Sequence, residues 1–214
     1  MRAVDAFDST IKRARALVKA HHKLHGAGPG KRPRFHSELL RAALVTAVSA
    51  LDAYFHDKII ENVRKTIRRT SPDFPDHLVQ LIAEGNKADN VVKDFLQIAM
   101  KDRPLARVAT IVSRKLNEKT FQDPGKIAWG MQLIGIGNFW PRVANEMNMT
   151  EPEVKSLLMK YIKRRHAIVH RGDLGTSKKT KHRVRKVSGE FAENCIDDVS
   201  RFVHSVEAAF AAEA

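Results

Sequence analysis

The chain has 214 residues, enough for one domain of ordinary size or one domain with an extra arm. Its hydrophobic fraction of 43% is normal for a globular core, while 38 Lys and Arg against 24 Asp and Glu leave a formal net charge of +14. A charge that large favours a polyanionic partner such as nucleic acid, through counterion release, over the plainer reading of a basic protein without one. One cysteine, Cys195, excludes a disulfide framework or a zinc knuckle within a single chain. No apolar run is long enough to span a bilayer, and the first residues lack a signal-like hydrophobic region, so a cytoplasmic protein with no membrane partner is expected.

Apolar residues recur at helical spacing and strand alternation is nearly absent, which predicts an all-α fold without internal repeats. Residues 2–24 form a basic amphipathic stretch that ends in the breaker cluster 25–30. The division expected from this is an N-terminal basic helix and arm over 1–35 and a helical domain over 36–214. The longest pattern runs from about Ser37 to Arg69, through Leu40, Leu44, Ala47, Val48, Leu51, Phe55, Ile59, Val63 and Ile67. Shorter helices are predicted near 76–84, 88–100 and 104–118, and two more within the glycine-punctuated region 124–149. Thr150 followed by Glu153 matches a capping box, and Pro152 suits a first helical turn, so a helix should open there and run to about His170. Gly172 marks its end. A polar basic segment, 175–188, precedes a closing helix over about 189–212, whose apolar line includes Cys195; a buried, inert thiol is the expected reading.

The helix opened by Thr150 carries an anomaly. At about 100° per residue, Val154, Leu157, Leu158, Tyr161 and Ile168 share one arc, and Arg165 falls inside it. An unpaired buried guanidinium is strongly unfavourable, so Arg165 must snorkel, pair with a core acid such as Asp52, or meet an anion or a polar interface. His166 and His170, four apart, share the edge of the arc. Histidines at that spacing can ligate a metal, but Ala167, Ile168 and Val169 between them supply no acid, so no metal is expected. His170 stands about 140° around the helix from Arg165, so the two converge only at a frayed last turn or across a partner helix.

The string Arg165-His166-Ala167-Ile168-Val169-His170 resembles the signature of the HEPN (higher eukaryotes and prokaryotes nucleotide-binding) superfamily: an arginine, a polar residue, then a histidine near the end of a late helix. The longer run from Arg164 to Asp173 is similar to the RiboL-PSP-HEPN group of bacterial defence and toxin systems. Ser49-Ala50-Leu51-Asp52-Ala53-Tyr54-Phe55 resembles a run on the first core helix of that family, in which an acid supports the motif arginine. The resemblance implies a HEPN-type helical bundle and a metal-independent endoribonuclease without a cofactor, dimerising so that two motif helices form one composite site. It implies Arg165 as the phosphate-binding group, His170 as the acid/base, His166 as a secondary catalytic candidate and Asp52 as the support of Arg165. Arg164, Arg171, Lys178, Lys179, Lys181 and Arg183 are the expected RNA contacts. A HEPN-like RNA-binding or assembly module without catalysis is the alternative. An antitoxin or other regulatory protein is a further partner the resemblance allows.

Overall fold

The computed structural model describes residues 2–25, 35–70, 75–84, 104–175, 177, 181 and 183–211. Among these residues eight helices occur: α1 (Ala3–His25), α2 (Phe35–Thr70), α3 (Asp76–Ala83), α4 (Pro104–Leu116), α5 (Pro124–Gln132), α6 (Phe139–Glu146), α7 (Glu151–Arg171) and α8 (Gly189–Ala209). The helix expected at 88–100 lies outside the described residues.

The fold is all-α and is organised around α2. Its 36 residues extend about 54 Å at 1.5 Å per residue. Buried residues from Leu40 to Ile67 occupy much more than one stripe of it, because α1, α4, α5, α7 and α8 all pack against it. The apolar line predicted from spacing, Leu40 to Ile67, is buried throughout. α1 is the expected N-terminal basic helix. It turns Phe7, Ile11, Ala14 and Val18 into the same core, and leaves Lys12, Arg13, Lys19 and Lys23 exposed. Arg15–Asp197 at 2.7 Å and His22–Glu193 at 3.1 Å tie its outer edge to α8.

The other end of the core is aromatic. Phe139 lies against Phe55 and stacks on Phe210 with ring centroids 5.7 Å apart, and Trp140 stacks on Phe202. Two polar links fix α8 against its neighbours: Glu207 accepts from the Tyr54 hydroxyl and from the buried Lys58 ammonium, and Asp198 accepts from the Tyr161 hydroxyl. Burial first, then the adjacent carboxylates, push both tyrosine hydroxyls far above their ordinary range, so each stays a donor. Cys195 is fully buried, and burial raises its thiol well out of the reactive range.

The helix starts obey local chemistry. Asp123 accepts the backbone N–H groups of Gly125 and Lys126 before α5, and Ser188 accepts that of Phe191 before α8. At the start of α7 the Glu153 carboxylate reaches back to the Thr150 backbone N–H at 2.7 Å, with Pro152 in the first turn.

Candidate active site on the motif helix

α7 stays helical through Arg171 and ends at Gly172, which adopts φ 58° and returns its N–H to the Ala167 carbonyl. The predicted stop is therefore the observed one. The next residue, Asp173, also takes a left-handed backbone at φ 57°, a conformation Asp tolerates better than most side chains. Two left-handed residues in a row turn the chain sharply back on itself. The returning segment then pairs with its own continuation: Gly175 N–H donates to the Arg183 carbonyl and Arg185 N–H to the Asp173 carbonyl, both at 2.9 Å. Leu174 and Val184 face each other across this short antiparallel contact. The described part of the expected basic loop is thus the base of a hairpin packed at the end of α7.

The two motif arginines have opposite environments. Arg164 is buried, and its Nη2 donates to Asp173 Oδ2 at 2.7 Å and to the Lys186 carbonyl at 3.0 Å. Arg41, on the first turns of α2, reaches the same carboxylate oxygen through Nε at 2.9 Å and also donates to the Arg185 carbonyl, Ser37 Oγ and Glu38 Oε1. Burial pulls the Arg164 guanidinium below its ordinary value; Asp173 opposes this, while Arg185 and Arg41 add to it. Arg165 is half-buried, and its Nε is enclosed with no hydrogen-bond partner among the described residues. Val169, one turn further on the same stripe, is a large apolar side chain left 46% exposed.

His166 and His170 are both exposed, with ring centroids 4.5 Å apart and planes tilted by 42°. The predicted pairing on one face is observed. Because the last turn of α7 does not unwind, His170 and Arg165 keep their divergence of about 140° and do not converge within one chain. Arg171, Lys181 and Arg183 are exposed; Lys178 and Lys179 lie outside the described residues.

Two expected roles need correction. Asp52 does not orient Arg165: its Oδ1 accepts the Phe121 backbone N–H and its Oδ2 the Gln122 side-chain amide at 3.2 Å. The first turns of α2 meet the end of α7 through Arg41. Asp52, eleven residues on, lies about 16 Å further along the helix at 1.5 Å per residue. Arg164, expected among the RNA contacts, is enclosed by Asp173 and the hairpin backbone and presents no free guanidinium to a ligand. The residues missed from sequence are Arg41 and Asp173. One signal for Asp173 was available: it is the single acid among nine Lys and Arg between positions 164 and 188.

The RiboL-PSP-HEPN family model matches residues 8–207, nearly the whole chain and all of the motif helix. The chain belongs to the RiboL-PSP-HEPN family. Neither the curated proteins nor the solved structures contain a match to it. The match begins inside α1 and ends inside α8, so this HEPN chain is matched across all the helices described. Among its described residues no helix is long and apolar enough to cross a membrane, and no three His, Cys, Asp or Glu side chains gather as a metal site would require.

Proposed function

We propose that this HEPN protein is a metal-independent endoribonuclease of the defence or toxin kind, acting as a homodimer in which two motif helices complete one site. The observation that carries the reading is Arg165: a half-buried guanidinium whose enclosed Nε has no partner among the described residues, one residue from an arginine paired with Asp173 and on the helix that displays the histidine pair. A guanidinium kept free of carboxylates is available to hold a phosphate through two parallel bonds and to offset charge developing on it.

In this mechanism the RNA 2′-hydroxyl attacks the adjacent phosphorus, and the bond to the 5′-oxygen of the next nucleotide breaks. The products are a 2′,3′-cyclic phosphate and a 5′-hydroxyl, and no water or metal-activated nucleophile enters the step. His170 moves the proton, since an imidazole can donate or accept one near neutral pH. His166, in ring contact with it, orients the imidazole or touches the RNA. Arg165 and His170 of one chain diverge, so the phosphate is held by Arg165 of one protomer and served by His170 of its partner. Val169, exposed on the Arg165 stripe, would be covered by such a pairing of motif helices. Arg171, Lys178, Lys179, Lys181 and Arg183 grip flanking phosphates.

The test is incubation of the purified protein with total RNA, and with DNA of similar length, in excess EDTA. RNA cleavage without DNA cleavage is expected. RNA that binds but stays intact supports the non-catalytic module instead.

A further inference from the structure

The stretch from 164 to 188 holds nine Lys and Arg and one acid, and that acid is the most enclosed polar residue of the region, with 0% exposure. Asp173 Oδ2 receives Arg41 from α2 and Arg164 from α7, and the same two guanidinium groups donate to the backbone carbonyls of Arg185 and Lys186. Three segments distant in sequence are thereby joined at one carboxylate. Without it, a hairpin carrying Arg183, Arg185 and Lys186 would have to dock against two buried like charges, which is unfavourable. The Arg185 N–H is bonded to the Asp173 carbonyl and Val184 bridges Leu174 in antiparallel fashion. Arg183 and Arg185, on either side of Val184, are both exposed, and at strand spacing they would stand about 6.6 Å apart on one side.

We propose that Asp173 is a positioning residue: with Arg41 and Arg164 it clamps the hairpin base to the motif helix, so that Arg183 and Arg185 form a preset edge for two consecutive RNA backbone phosphates next to the site. This rests on the RNA reading given above and adds Arg185 to the contacts. The hairpin base is then a fixed part of the binding surface, and Asp173 acts on RNA without touching it.

The substitution Asp173→Asn tests this, because Asn is isosteric and tolerates the left-handed backbone, so the charge is what changes. The probe is a single-stranded RNA of mixed sequence carrying 2′-O-methyl groups, which can be bound but not cut by 2′-hydroxyl attack. Simple charge arithmetic predicts tighter binding, since the variant gains a positive charge. Positioning predicts the reverse: weaker binding, with a log Kd against log salt slope flatter by about 1.4, for two lost contacts at about 0.7 each. Arg183→Ala with Arg185→Ala should flatten the wild-type slope by the same amount and add nothing in the Asp173→Asn background. Hydrogen exchange should show lost protection over residues 183–187 with the remaining helices unchanged. Arg41→Met, which keeps the Asp173–Arg164 pair, serves where Asp173→Asn does not fold, and should flatten the slope in the same direction. An unchanged slope, tighter binding, or a full additional effect of the double alanine substitution in the variant overturns the proposal. A wild-type chain that does not bind the probe overturns the RNA reading itself, a result distinct from each of these.

Discussion

Arg164 and Arg165 are consecutive and only about 100° apart on one helix, yet they meet opposite surroundings. On the Arg164 side the guanidinium is sealed under a hairpin, neutralised by Asp173 and surrounded by carbonyls. On the other side lie Arg165 with its unpartnered Nε, the exposed Val169, and the exposed pair His166 and His170. One side of α7 holds the fold together and the other is left with unsatisfied chemistry. A buried ion pair contributes little net stability over an apolar replacement, but removing one partner is costly. An arginine without a partner among the described residues, beside exposed imidazoles, has no such structural return, and its value lies in what it can bind.

Substitutions should separate the two sides cleanly. The largest effect is expected on the open side: His170→Ala should lower the rate of RNA cleavage by about 10² to 10⁴, the usual range for general acid–base catalysis, with an unchanged melting temperature. Arg165→Ala should lose a similar or greater factor. Because Asp52 is engaged with Phe121 and Gln122, no buried carboxylate is orphaned by this change and the fold should persist. Initial rates on a fluorescent RNA and a thermal melt of each variant check both statements.

Mixing these two inactive proteins sharpens the comparison further. If Arg165 of one protomer serves His170 of the other, the composite site of a mixed dimer holds one intact Arg165–His170 pair and one pair lacking both groups. A refolded equimolar mixture should regain about a quarter of wild-type activity, since about half of the dimers are mixed and each keeps one pair of two. A mixture as inactive as its components breaks the two-chain arrangement.

The paired side should answer in stability. Arg164→Met leaves Asp173 with Arg41 alone and should cost roughly 3 kcal/mol, lowering the melting temperature by about 6–12 °C for a domain of this size. RNA binding should weaken as the hairpin base loosens, but cleavage at saturating RNA should persist where the variant remains folded; a loss there would blur the division between the two faces. The smallest effect is expected at the start of α8: Ser188→Ala removes its cap and should cost about 1 kcal/mol by denaturant titration, with cleavage unchanged.

Local signals were legible in the sequence wherever the physics is local. Thr150, Pro152 and Glu153 set the start of α7, Gly172 set its end, and the four-residue spacing of His166 and His170 set their contact. The apolar line of α2 needed only its period. The errors arose where two distant segments had to be placed in register. A helical wheel drawn on Val154, Leu158 and Tyr161 puts Arg165 at the centre of the buried arc. At the end of α7, however, the covered face shifts to Arg164 and Ala167, because the hairpin packs there. No periodicity in α7 encodes a cover supplied by Asp173 and the backbone of Arg185 and Lys186. Likewise, the choice between Asp52 and Arg41 depends on which end of α2 lies beside the end of α7, and composition does not carry that information.

The central claim, that the open side of α7 cleaves RNA through Arg165 and His170 without a metal, is tested most directly by end-group analysis. RNA fragments generated in EDTA by the wild-type protein and by His170→Ala would be assigned by mass spectrometry and by 5′-end labelling with and without phosphatase. The account predicts 2′,3′-cyclic phosphate and 5′-hydroxyl ends from the wild type, and few fragments from the variant. Fragments bearing 5′-phosphates, or undiminished cleavage by His170→Ala, would contradict it.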